Sequence, residues 1–114
     1  MLKILLKLKN TELKTLETDK AVITIGRNKN NDVHINNLGV SKKHARIVKQ
    51  NGVYIIEDLK STNGTLLNNE PILKARLTGN DIVTLGKHTL LISSRDDKNA
   101  TRDIAEQTIK VTPK

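Results

Sequence analysis

The chain has 114 residues, a formal net charge of +8, no cysteine and a single aromatic residue, Tyr54. That length suits about one domain, and the missing cysteines exclude a disulfide framework or a thiolate metal site and fit a reducing, cytoplasmic setting. No run approaches the ~18 apolar residues of a membrane span, and Met1–Lys7 is too short and too lysine-broken to be a signal peptide's apolar region.

Leu2, Ile4, Leu6 and Leu8 alternate with lysines at 3, 7 and 9, the period-2 pattern of a half-buried strand. A turn is expected at Asn10-Thr11, then a short segment of open register around Leu13 and Leu16. Ala21 to Ile25 reads as a strong strand ended by Gly26, and Val33 and Ile35 alternate with polar neighbours. Ala45, Ile47 and Val48 lead to Asn51-Gly52 and a return strand from Val53 to Ile56. Asn-Gly between apolar runs is the strongest short-range hairpin signal. Thr65–Leu67, Pro71–Leu77, Asp81–Leu85 and His88–Ile92 complete the regular part. Many short strands with turns between them, in a core of Leu, Ile and Val, predict an all-β fold, a sandwich or barrel, over residues 1–92.

Residues 93–114 are polar and nearly charge-balanced. Such composition predicts a flexible tail or linker, with a short helix over about 102–110 compatible with its weak periodicity.

Residues 1–92 hold 15 Lys and Arg against 8 Asp and Glu. A basic balance points to nucleic acid, anionic membrane or a phosphorylated ligand. The cations are scattered, which argues against a nucleic-acid arm or a lipid-binding cluster. One tyrosine cannot supply the stacking platforms of single-strand binding. A basic nucleic-acid-binding β-domain stays as the alternative reading. Catalysis is not expected: the three histidines, His34, His44 and His88, accompany no nucleophile motif, no metal-ligand spacing and no Gly-rich nucleotide loop.

Three motifs stand in order: Gly26-Arg27, then Ser41-Lys42-Lys43-His44, then Ser61-Thr62-Asn63-Gly64-Thr65. A phosphate carries about −1.5 to −2 charge and three strong acceptor oxygens. Arg27 offers it a planar fork of N–H donors, Ser41 a hydroxyl and Lys42 a point charge. Asn63 has donors and an acceptor on one flat amide, suited to gripping a peptide unit, and Gly64 permits a turn with positive φ. Taken singly, Arg27 and Lys42 would be solvated surface cations, Ser41 a loop cap and Asn63-Gly64 a plain turn.

Together, the motifs and the strand pattern around them resemble the forkhead-associated (FHA) domain over roughly residues 1–92. The resemblance implies a β-sandwich of two twisted, mainly antiparallel sheets with recognition loops at one end. It implies phosphothreonine-dependent peptide binding by a signalling module that needs no cofactor or metal. Arg27, Ser41, Lys42, Thr62 and Asn63 would contact the phosphopeptide, while Gly26, His44 and Gly64 shape the loops. In the family the loop holding Gly39 helps select the residue three places after the phosphothreonine, and a glycine there has no side chain to read it. Asn69 and Asn80 replace glycines common in the family, and asparagine tolerates the left-handed backbone that those turns require. The tail's Thr101 and Thr108, once phosphorylated, are a candidate further ligand for the same pocket through tethering, set against the reading of the tail as an inert linker.

Overall fold

The structure, a computed structural model, describes residues 1–94 and the backbone of 109–110. The strands are β1 (Leu2–Leu8), β2 (Thr11–Thr18), β3 (Val22–Gly26), β4 (Val33–His34), β5 (Ala45–Gln50), β6 (Val53–Asp58), β7 (Thr65–Leu67), β8 (Glu70–Arg76), β9 (Asn80–Leu85), β10 (His88–Ser94) and β11 (Ile109–Lys110). Apart from Ser93, Ser94 and the β11 pair, the expected flexible tail lies outside the described residues. The helix considered over 102–110 does not reach Ile109–Lys110, which pair as a strand with Lys74 and Ile72 of β8; β-branched Ile109 suits that extended backbone.

Alternation decides which side chains enter the core. Leu2, Ile4 and Leu6 of β1 are buried, as are Leu90 and Ile92 of β10 and Val83 and Leu85 of β9. Ile23 and Ile25, Ala45 and Ile47, and Tyr54 and Ile56 bury the matching faces of β3, β5 and β6. All belong to one cluster, so the two faces share one core, as in a sandwich.

Hydrogen bonding follows the path β2-β1-β10-β9-β7-β8-β6-β5-β3-β4, with β11 on β8. The β3–β4 pair is parallel and the other described pairs are antiparallel. Strand β8 makes the corner between layers. Glu70–Ile72 pair with β7, while Lys74–Arg76 pair with β6. The fold is thus an all-β sandwich whose ladder runs nearly round like a barrel.

The turns differ from expectation in two places. The first reversal falls at Lys9-Asn10, with Lys9 at φ 57°, one residue before the expected Asn10-Thr11. Asn69 adopts the left-handed backbone at φ 72° as expected of it, but Asn80 begins β9 and the positive φ belongs to Gly79, at 122°. Glycine reaches that conformation without a Cβ clash, which frees Asn80 for the ladder.

Candidate functional site

The site grows from the end of β3. Gly26 closes that strand, and a Cβ on it would stand 2.2 Å from the Lys42 carbonyl oxygen. Only glycine lets the two loops approach so closely. Arg27 follows, its backbone N–H donating to the Ser41 carbonyl at 2.9 Å and its Nε to the Val40 carbonyl at 3.0 Å. The Nε bond fixes the stem, so the terminal nitrogens of the guanidinium are presented from a half-buried side chain.

Ser41 is held from three sides. Its N–H donates to His44 Nδ1 at 3.1 Å, its carbonyl accepts from Arg27, and its hydroxyl oxygen accepts the Thr62 backbone N–H at 3.0 Å. With the lone pair used inward, the hydroxyl proton is left for a ligand. Lys42 contributes its backbone first: its carbonyl accepts from Asn28 N–H at 3.3 Å and Asn31 Nδ2 at 2.9 Å. Its ammonium is on an exposed side chain beside Ser41, in a neighbourhood that also exposes Lys29, Lys43 and Lys60.

His44 is fully buried. Nδ1 accepts from Ser41, so Nε2 carries the proton and donates to the Gly64 carbonyl at 2.9 Å. One neutral imidazole thereby joins the loop of Ser41 to the loop of Asn63. Buried polar atoms are normally satisfied in this way, and here the satisfaction sets loop geometry.

In the second loop, Asn63 is exposed and its Nδ2 donates to the Gly39 carbonyl at 2.9 Å. Its Oδ1 and second N–H remain for a peptide backbone. Gly64 sits at φ 85°, and its N–H donates to Ser61 Oγ at 2.9 Å. Sequence reasoning missed the anchor of this loop, Asp58. Its carboxylate accepts from Ser61 N–H at 3.1 Å, Ser61 Oγ at 2.5 Å and Thr65 Oγ1 at 2.7 Å. Burial raises its pKa, but the hydrogen bonds from Ser61 and Thr65 outweigh that and hold it below the ordinary carboxylate value. A signal was there: an Asp can accept the backbone N–H three residues on, as at a helix N-cap.

Beyond Asn63 the site continues into a groove of about 610 Å³ lined by Asn36, Asn37, Leu38, Gly39, Gly86 and Lys87 as well as Asn63. Gly39 and Gly86 meet at its base, where a Cβ on Gly86 would stand 3.2 Å from the Gly39 carbonyl oxygen. Gly39 indeed offers no side chain, yet Lys87 of the β9–β10 turn and the 89% exposed Leu38 do. Among the described residues no group of His, Cys, Asp or Glu could hold a metal ion, and no helix is long and apolar enough to cross a membrane.

All eight expected residues therefore converge on one end of the sandwich. Residues 23–86 match the FHA domain family model. An FHA domain-containing protein of Arabidopsis thaliana is 34% identical over 96 residues, covering 76% of this chain and 25% of that protein. The glycogen accumulation regulator GarA of Mycobacterium tuberculosis is 34% identical over 73 residues, covering 64% of this chain and 45% of GarA. The chain thus spans between a quarter and half of these relatives. A solved structure from work on phosphothreonine-dependent FHA domain interactions superposes with a TM-score of 0.73 at 27% identity, over 83% of this chain and 99% of that one.

Proposed function

Because this chain belongs to the FHA domain family, we propose that it is a phosphothreonine-dependent peptide-binding module, a non-catalytic adaptor acting in the cytoplasm. One observation carries the proposal. The Arg27 guanidinium, the Ser41 hydroxyl and the Asn63 amide each spend one hydrogen-bonding capacity on the opposing loop's backbone and keep at least one donor for a ligand. Such bracing fixes the donors before the ligand arrives, which lowers the cost of binding.

In this reading Arg27 and Ser41 hold the phosphate, with Lys42 adding charge. Thr62 helps form the threonine's seat and Asn63 grips the peptide backbone. His44, Gly26 and Gly64 keep the loops in register. The partner is a phosphothreonine-bearing protein, and the tail phosphorylated at Thr101 or Thr108 is a second source of the same group.

Calorimetric titration with phosphothreonine peptides, their unphosphorylated forms and DNA or RNA oligomers tests the function. Binding only to the phosphorylated peptides is expected. Tight nucleic-acid binding with indifference to phosphothreonine would establish the alternative instead. For the tail, NMR after threonine phosphorylation should shift the signals of Arg27, Ser41 and Asn63; signals that stay unmoved refute self-recognition.

A further inference from the structure

The chain contains two Asn-Gly pairs, Asn51-Gly52 and Asn63-Gly64. This dipeptide is the most deamidation-prone in proteins, because glycine leaves its own amide nitrogen unshielded. The nitrogen loses its proton and bonds to the asparagine Cγ. The Cγ–Nδ2 bond breaks, ammonia leaves and a succinimide ring remains. Water then opens either imide carbonyl, giving aspartate or isoaspartate. The reaction needs a free glycine N–H and an asparagine side chain able to swing toward it.

The two pairs meet opposite conditions. Asn51 and Gly52 form the exposed tip of the β5–β6 hairpin at φ 51° and 82°. The Gly52 N–H makes no hydrogen bond among the described residues, while space around the two glycines is equally open. Asn63 is exposed like Asn51, so burial does not separate them. Hydrogen bonding does. The Gly64 N–H is committed to Ser61 Oγ at 2.9 Å, and the Asn63 Nδ2 is committed to the Gly39 carbonyl at 2.9 Å. The attacking nitrogen and the leaving group are both tied down.

We propose that Ser61, with the Gly39 carbonyl, guards Asn63 against succinimide formation, and that Asn51 is the chain's site of spontaneous deamidation. Ser61 Oγ also donates to Asp58, and a carboxylate–hydroxyl relay could in principle draw off the Gly64 proton. The hydrogen bonds that hold the Asp58 carboxyl below its ordinary pKa make it too weak a base for that work. The guard has a functional side that rests on the proposed phosphopeptide reading. Conversion of Asn63 removes the amide donor and sets a carboxylate beside the phosphate seat, so the site would fail with age.

The test is incubation of the intact chain in warm, mildly alkaline buffer, followed by peptide mapping with mass spectrometry that resolves aspartate from isoaspartate. In the native chain Asn51 should convert first, with Asn63 slower by about fivefold or more, the factor that one hydrogen bond of ordinary net strength sets. In urea the two rates should converge. Ser61→Ala should raise the native rate at Asn63 toward that at Asn51, and Ser61→Thr, which keeps the hydroxyl, should restore protection. Circular dichroism of each variant separates lost protection from lost fold, and Gly39 cannot be blamed because its backbone is unchanged. Equal native rates at the two sites would overturn the proposal, and so would slower conversion at Asn63 in Ser61→Ala, which would make Ser61 a relay. These mass readouts stand whatever ligand the site takes. Phosphopeptide affinity lost in step with conversion of Asn63 adds the functional half, and affinity retained after that conversion overturns it.

Discussion

The Ser41 hydroxyl accepts the Thr62 backbone N–H at 3.0 Å across 21 positions of sequence. The side chain proposed to serve the phosphate is thus also a tie between the two loops. Ser41→Ala removes both roles. A hydrogen bond to a charged group is worth about 2 kcal/mol, so affinity for a phosphothreonine peptide should fall roughly thirtyfold, with a smaller loss of stability. Calorimetric titration and thermal melting of the same preparation separate the two effects. Unchanged affinity would remove Ser41 from the phosphate seat.

Arg27 and His44 should separate affinity from stability. Arg27→Ala should abolish measurable phosphopeptide binding at a stability cost of about 1 kcal/mol, the ordinary net value of the lost Nε bond to the Val40 carbonyl. Arg27→Lys should not rescue it, because an ammonium cannot reproduce the planar fork. His44→Ala should lower stability by about 2–4 kcal/mol, since it empties a fully buried position and orphans the Ser41 N–H and the Gly64 carbonyl. A strongly destabilised Arg27→Ala with normal affinity would reverse these roles.

Acid should weaken the fold in two stages. Burial lowers the pKa of His88 from its ordinary 6.5, so the unfolded chain takes up that proton first. Stability is whole above pH 6.5 and declines as pH falls below it, by at most about 1.4 kcal/mol per pH unit for one proton. Asp58 and Asp32 have pKa values lowered from 3.8; their contribution is present above that value and lost as pH falls through the folded one. His88→Leu should flatten the first stage and leave the second. Urea melts across the pH range measure both, and an unaltered slope between pH 7 and 5 in the variant would show that His88 is not its source.

Selectivity after the phosphothreonine should depend on Lys87. It is the charged group in the groove beyond Asn63, so peptides placing an acidic residue there should bind best. Lys87→Glu should turn that preference toward basic residues without destroying recognition of the phosphate. A peptide array read with both proteins decides this. An identical ranking would show that the peptide does not reach Lys87.

The strands that border the core were legible because alternation along them is strict. Leu2, Ile4 and Leu6 announce their burial by spacing alone. The register and extent of strand β2 were hidden because it lies at the sheet's edge with Leu13 48% exposed, and because a register shift between Leu6 and Lys7 interrupts its pairing with β1. An edge strand need bury little, so its residues carry a weak pattern. In the site, Arg27, Ser41, His44 and Asn63 were visible through motif and spacing. The Gly86–Lys87 turn was not, and Asp58 showed only as an acid at capping distance from Ser61. Asp58 acts by accepting bonds within a loop, and Gly86 reaches Gly39 only through the closed sandwich. Contacts between distant segments leave no local periodicity to read.

The pairing of β1 with β10 has a mechanical consequence. Leu2 lies opposite Ser94 and Leu8 opposite His88, so these antiparallel neighbours share a far end, while the turn at Gly86 sits with the recognition loops. A load applied through residues 2 and 94 pulls neighbouring strands apart from one end. Their cross-strand bonds then break singly, as in a zipper, rather than together in shear. The first bonds to open, around Leu2 and Ser94, are those farthest from Arg27 and Asn63. Traction on the domain would therefore fray its anchorage at low force while its grip on a phosphopeptide still held.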